Sequence, residues 1–223
     1  MVRFAGLCLV LWAGQAVATT PVAASHDGKV LAAMEPFETL AETALTRHGK
    51  RIESAYHAAQ ANRAGARALL AEAHAGAFDV AFKRLDAANA RQDHLEESLA
   101  ASELYKQLAL SLDGAAGAGA LKQVNLLDYA GFRLSALLAA AAPDWQAIAA
   151  TVSEANADWT AIRQQVANAK LQARMDDVQR RLAEAAARRD PVKLKPVIQQ
   201  DLDLVDVLET YFARHKQTAG KPA

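Results

Sequence analysis

Few residues of this 223-residue chain have the type and spacing to do chemistry. Glu53 and His57 stand four apart, so on a helix they share a face and offer an oxygen and a nitrogen to a metal ion. No Glu-x-x-His and no His-Glu-x-x-His accompanies them, so the paired ligands of a di-iron bundle or a zinc protease are missing; an exposed polar pair is the simpler reading. Met34 and His215 lie near opposite ends of the chain. In an up-down bundle the first and last helices bring such positions together, and a methionine with a histidine can ligate a haem iron. Covalent haem attachment is excluded, because no Cys-x-x-Cys-His is present. Asp203, Asp206 and Glu209 share one broad polar face of the last helical segment, with Asp201 close by, and several oxygens together suit a hard cation such as Ca²⁺. Arg174, Arg180, Arg181, Arg188 and Arg189 crowd the segment before it, and ordinary helix–helix ion pairing accounts for both sets. Ser111, Ser135 and Ser153 lack any Gly-x-Ser-x-Gly setting. The expectation is a non-enzymatic protein with no resident cofactor.

Those residues need helices to position them. Between Asp144 and Val166 the large apolar residues fall at Trp145, Ile148, Val152, Trp159, Ile162 and Val166, with Ala155 in the remaining slot. Alternating steps of three and four make a heptad seam along a helix of about 35 Å, which needs partners of similar length. Leu121 to Ala142 is apolar nearly all round, as in a helix covered on most sides, though Lys122, Asp128 and Arg133 interrupt it as a membrane span. Beyond the seam, Leu171, Met175, Val178 and Leu182 define a stripe rotated by roughly 140°. Either the chain turns near Asn168 or one long helix serves two partners; the lack of Gly or Pro there favours the continuous helix. Other stripes start at Val30, Met34 and Phe37, with Pro36 near a helix start, and at Leu194 and Ile198. Alanine is abundant and β-branched residues are few, so the class is all-α: an antiparallel bundle of long Ala-rich helices.

Gly76-x-Phe78-x-x-Ala81, followed by Leu85 and Ala88, resembles the turn and second helix of a tetratricopeptide repeat. The resemblance covers Leu69 to Ala88, without the family's tryptophan and tyrosine positions and without a tandem array. It implies a helical hairpin whose small residues allow close packing.

Residues 1–18 read as a secretory signal peptide: Arg3, an apolar stretch from Phe4 to Ala13, and Ala16-Val17-Ala18 as cleavage site. Cys8, the single cysteine, lies inside it, so the mature chain is expected to hold no disulfide and no thiolate site. Without Arg3, 24 basic residues face 25 acidic ones, which argues against a nucleic-acid partner. Gly114-Ala115-Ala116-Gly117-Ala118-Gly119 reads as a linker, giving a first helical half at 19–113, a second at 120–215, and a flexible tail at 216–223. The halves echo each other: Leu31-Ala32-Ala33 with Leu138-Ala139-Ala140, Leu70 to Ala73 with Leu182 to Ala185, and Asp93 to Glu96 with Asp206 to Glu209. Either the chain holds two duplicated helical-hairpin halves, or these are chance matches in an alanine-rich sequence. The function expected from these features is that of a periplasmic protein that binds another envelope protein; the alternative is a carrier of a small ligand, metal or haem between its helices.

Overall fold

A computed structural model of the chain describes residues 25–46, 48–113 and 119–219, the last six of these by their backbone alone. The signal-peptide reading, most of the linker and residues 220–223 therefore lie outside the described residues. Eight α-helices and no strand occur among them: α1 His26–Ala44, α2 Gly49–Arg67, α3 Glu72–Arg91, α4 His94–Leu110, α5 Gly119–Ala139, α6 Trp145–Ile162, α7 Ala169–Ala187 and α8 Pro191–Ala219. This is the expected all-α antiparallel bundle. No helix is long and apolar enough to cross a membrane among the described residues.

Local chemistry sets the helix ends. Ser25, Asp93, Asp144 and Asn168 accept hydrogen bonds from backbone N–H groups in the first turns of α1, α4, α6 and α7. The Asn168 cap corrects the expectation of a continuous helix. After α6 the chain makes a short 3-10 turn at Arg163–Gln165, and α7 starts afresh at Ala169. Neither Gly nor Pro is needed. Asn168 Oδ1 accepts from Lys170 N and Leu171 N, Gln172 Nε2 donates to the Arg163 carbonyl, and Ala167 N donates to the Tyr211 hydroxyl at 2.8 Å. Pro36 is a second correction. The helix starts ten residues earlier, at His26, so Pro36 lies inside α1 and leaves the Ala32 carbonyl without its usual donor. At the other end, α8 continues past Lys216 to Ala219, where a loose tail was expected.

The helices of the two halves share some of their pairings, but α6 packs on α7 whereas α2 scarcely touches α3. In each half the first packs on the second and fourth, and the third packs on the fourth; α4 then joins the halves by packing on α5. The matching helix starts lie 93 to 97 residues apart, not 107 to 113. The sequence echoes thus do not follow the fold: Leu70 lies in the turn before α3, whereas Leu182 lies inside α7. Gly76 lies in the second turn of α3, where a Cβ would meet nothing within 4 Å, so no close approach depends on it.

Two apolar cores result. The first centres on Phe37, whose ring meets Phe78 and Phe82 edge-on at 5.9 and 5.8 Å, and Met34 belongs to it. The second contains the seam from Ile148 to Val166 and the facing stripes of α5, α7 and α8. Leu126, Tyr129 and Phe132 of α5 contribute to the first core, while Val124, Leu127, Ala130 and Leu134 contribute to the second. The α5 helix is covered on nearly every side, as its composition requires.

Trp159 is 2% exposed, and its Nε1 donates to Asp176 at 2.8 Å; Trp145, expected to be an equal anchor, is only half-buried at the start of the seam. Trp159→Ala is expected to cost about 3–5 kcal/mol in chemical denaturation, and Trp145→Ala about half as much. Because α5 feeds both cores, a chain cut once between Asp113 and Gly119 is expected to run as a single species on gel filtration and to melt in one transition. Separation of the fragments without denaturant would show two independent halves.

Candidate functional site

Asp128 is the one acidic residue on α5, and it sits in the seam between the two halves. From α4, the Tyr105 hydroxyl lies 3.0 Å from Asp128 Oδ2 and 2.9 Å from Asn125 Oδ1, and all three side chains are buried. Asn125 is oriented by its own Nδ2, which donates to the Leu121 carbonyl at 2.8 Å. One phenolic proton cannot serve two acceptors. If Tyr105 donates to Asn125, the second contact is satisfied when Asp128 is protonated and donates to the Tyr105 oxygen. Burial, then the Glu38 and Glu209 carboxylates, push Asp128 well above its ordinary range, which favours that protonated state.

Those carboxylates form the outer part of the same region. Glu38 and Glu42 stand on α1, and Asp206 and Glu209 on α8, so α1 and α8 flank α5 with acidic faces. Glu38 is pushed up to about 7, first by desolvation and then by Glu209, Glu42, Asp206 and Glu35. Glu42 and Glu209 are raised by desolvation and by Asp206. The charges that raise these three are carboxylates, and none of the three makes an ion pair among the described residues. Farther along the α1–α8 groove, the lining turns apolar at Leu45, Leu138, Ala139 and Ile198, around a hollow of about 600 Å³ with Lys195 at its rim. Gly131 lets α8 approach the groove floor: a Cβ there would lie 2.8 Å from Leu202 Cγ. The groove is thus acidic at one end and apolar at the other.

The residues singled out in the sequence are distributed differently. Asp206 and Glu209 belong to the acidic groove, but Asp203 turns towards α7, accepts from Gln199 Nε2 and lines a shallow hollow with Arg174 and Arg181. The expected ion pairing between the arginines of α7 and the acids of α8 is not formed among the described residues. Arg180 binds Asp177 and Glu184 on its own helix, and Arg181 binds Asp177 there and Gln200 of α8. Four-residue spacing on α7 makes these local pairs available without ordering two helices against each other. Glu53 and His57 are exposed on α2 and line a hollow with His94 and Glu97 of α4, where His94 Nδ1 lies 2.7 Å from Glu97 Oε2. No group of three or more His, Cys, Asp or Glu able to hold a metal ion occurs among the described residues. Met34 is enclosed in the first core, and the side chain of His215 lies outside the described residues.

Tyr105, Asn125, Asp128, Glu38 and Glu42 were not singled out by sequence. A signal for part of the set was present, since Glu35, Glu38 and Glu42 recur at three and four residues and make an acidic stripe. Asp128 also stood out as an acid within an apolar helix.

Carboxyls with raised folded-state pKa values hold protons that the unfolded chain has lost. Their contribution is full below the unfolded pKa, near 4, and is lost as pH rises through about 7. The denaturation midpoint is therefore expected to be higher at pH 5 than at pH 8, and Glu38→Gln is expected to narrow that gap by raising the pH 8 value. An equal or lower midpoint at pH 5 would mean that the carboxylates are neutralised in the fold. No protein-family model, curated protein or solved structure matches the chain.

Proposed function

We propose that this chain is a non-enzymatic periplasmic binding protein of an envelope system, and that its α1–α8 groove receives a basic, amphipathic segment of a partner protein. The observation that carries this reading is the cluster of carboxylates at Glu38, Glu42, Asp206 and Glu209: Glu38, Glu42 and Glu209 are pushed up first by desolvation and then by neighbouring carboxylates of the set, and no ion pair among the described residues neutralises them. Like charges gathered on two helices oppose folding, and a cationic partner turns the same repulsion into binding energy. The apolar hollow at Leu45, Leu138 and Ile198 supplies a place for the partner's non-polar side chains. From Glu209 to Lys195 the groove follows α8 for about 20 Å, a length suited to three or four turns of a bound helix. The signal-peptide pattern of residues 1–18 supports an envelope setting.

The test compares wild type with the triple variant Glu38→Gln, Glu42→Gln, Glu209→Gln as baits in envelope extract. A partner of the proposed kind is expected to be retained by wild type, and to be lost about tenfold or more with the variant and in about 0.5 M salt. Equal retention by both baits would remove the groove from the interaction. A bound metal or chromophore in native mass spectra and visible spectra of periplasmically expressed protein would favour the carrier reading instead.

A further inference from the structure

Away from the groove, Asp201 stands on the side of α8 that faces α7, with none of its surface exposed. Its partner is Gln179 of α7, itself buried, whose Nε2 donates to Asp201 Oδ1 at 2.8 Å. Two enclosed oxygens remain, Asp201 Oδ2 and Gln179 Oε1, each without a hydrogen bond. Rotating the amide by half a turn exchanges its two ends but still sets one acceptor against another.

An ionised Asp201 would also lack a counter-charge. On α7, Arg180 is committed to Asp177 and Glu184, Arg181 to Asp177 and Gln200, and Asp176 to Arg163. On α5, Arg133 binds Glu103, and Asp128 contacts Tyr105. On α6, Glu154 pairs with Lys106 of α4, and on α8 itself Asp203 accepts from Gln199. No charged group contributes to the shift at Asp201.

We propose that Asp201 is held as the neutral carboxylic acid, its Oδ2–H donating to Gln179 Oε1, so that acid and amide close a two-bond ring that latches α8 to α7. A carboxyl and a primary amide are planar forks of matching width, and a single added proton satisfies both orphan oxygens at once. The proton is taken from solvent as the helices close. Burial acts in the same direction, pushing Asp201 from 3.8 to about 7 against the opposing effect of the Gln179 amide. Between those values the folded chain keeps a proton that the unfolded chain has released. The latch therefore contributes fully below about pH 4, weakens as pH rises, and is open above about 7.

Asp201→Asn tests this, because asparagine reproduces the neutral acid: its Nδ2 donates to Gln179 Oε1 and its Oδ1 accepts from Nε2. Thermal midpoints of wild type and variant are expected to be close at pH 5, with the variant several degrees higher at pH 8. A gap that does not change with pH, or a variant less stable than wild type at pH 8, would overturn the proposal. Carbon-13 NMR of the Asp201 carboxyl in the wild-type chain gives a reading that needs no variant. Titration near neutrality is expected; titration near pH 4 would mean an ionised carboxylate whose second oxygen is met by water or an ion.

Discussion

The need to cover α5 on every side is the constraint on which the rest of the structure depends. A helix with Val124, Leu127, Ala130 and Leu134 on one side and Leu126, Tyr129 and Phe132 on another cannot be satisfied by a single hairpin. It takes α6 and α8 from the second half and α4 from the first. The polar contacts across the α4–α5 seam then select one register. Tyr105 meets Asn125 and Asp128, Glu103 accepts from Tyr129 and Arg133, and Lys122 reaches the Leu110 carbonyl. Buried polar groups with fixed partners make a shifted register costly, because each shift leaves a donor or acceptor unmatched.

The acidic groove follows from that arrangement. Once α5 is clamped between α4 and α8, α1 is carried in by its packing on α4, where Ser98 Oγ donates to the Ala41 carbonyl at 2.6 Å. Carboxylates of α1 and α8 are thereby brought close enough beside α5 to act on one another. Neither helix is unusual alone: each carries a few carboxylates that would be solvated on an isolated bundle. The electrostatic property belongs to the joined halves.

Much of the fold was legible because periodicity reports burial. The seam from Ile148 to Val166 and the enclosed α5 both follow from spacing and composition. The turn at Asn168 was harder, because it depends on a cap and on the distant Tyr211 hydroxyl, and no Gly or Pro announces it. The site was less legible still. Asp206 and Glu209 read as partners for the arginines of α7, since adjacency in sequence suggests adjacency in charge pairing. Their neighbours are instead Glu38 and Glu42, some 165 residues earlier. Asp201 stood only beside the polar face of Asp203, Asp206 and Glu209 in the sequence, and nothing there showed that the helix rotation buries it against Gln179.

The raised carboxyls carry a thermodynamic consequence of their own. Near pH 6 the folded chain binds protons at Glu38 and Asp201 that the unfolded chain has given up, so unfolding releases them to the buffer. The heat of unfolding then includes the buffer's own heat of protonation. Calorimetric enthalpies in phosphate, which takes up protons with little heat, and in an amine buffer, which takes them up with much, will differ by the number of protons released times the difference between the two buffers' heats of protonation. The protein is in this respect a proton-linked system, and its folding enthalpy is a property of the chain together with its solvent.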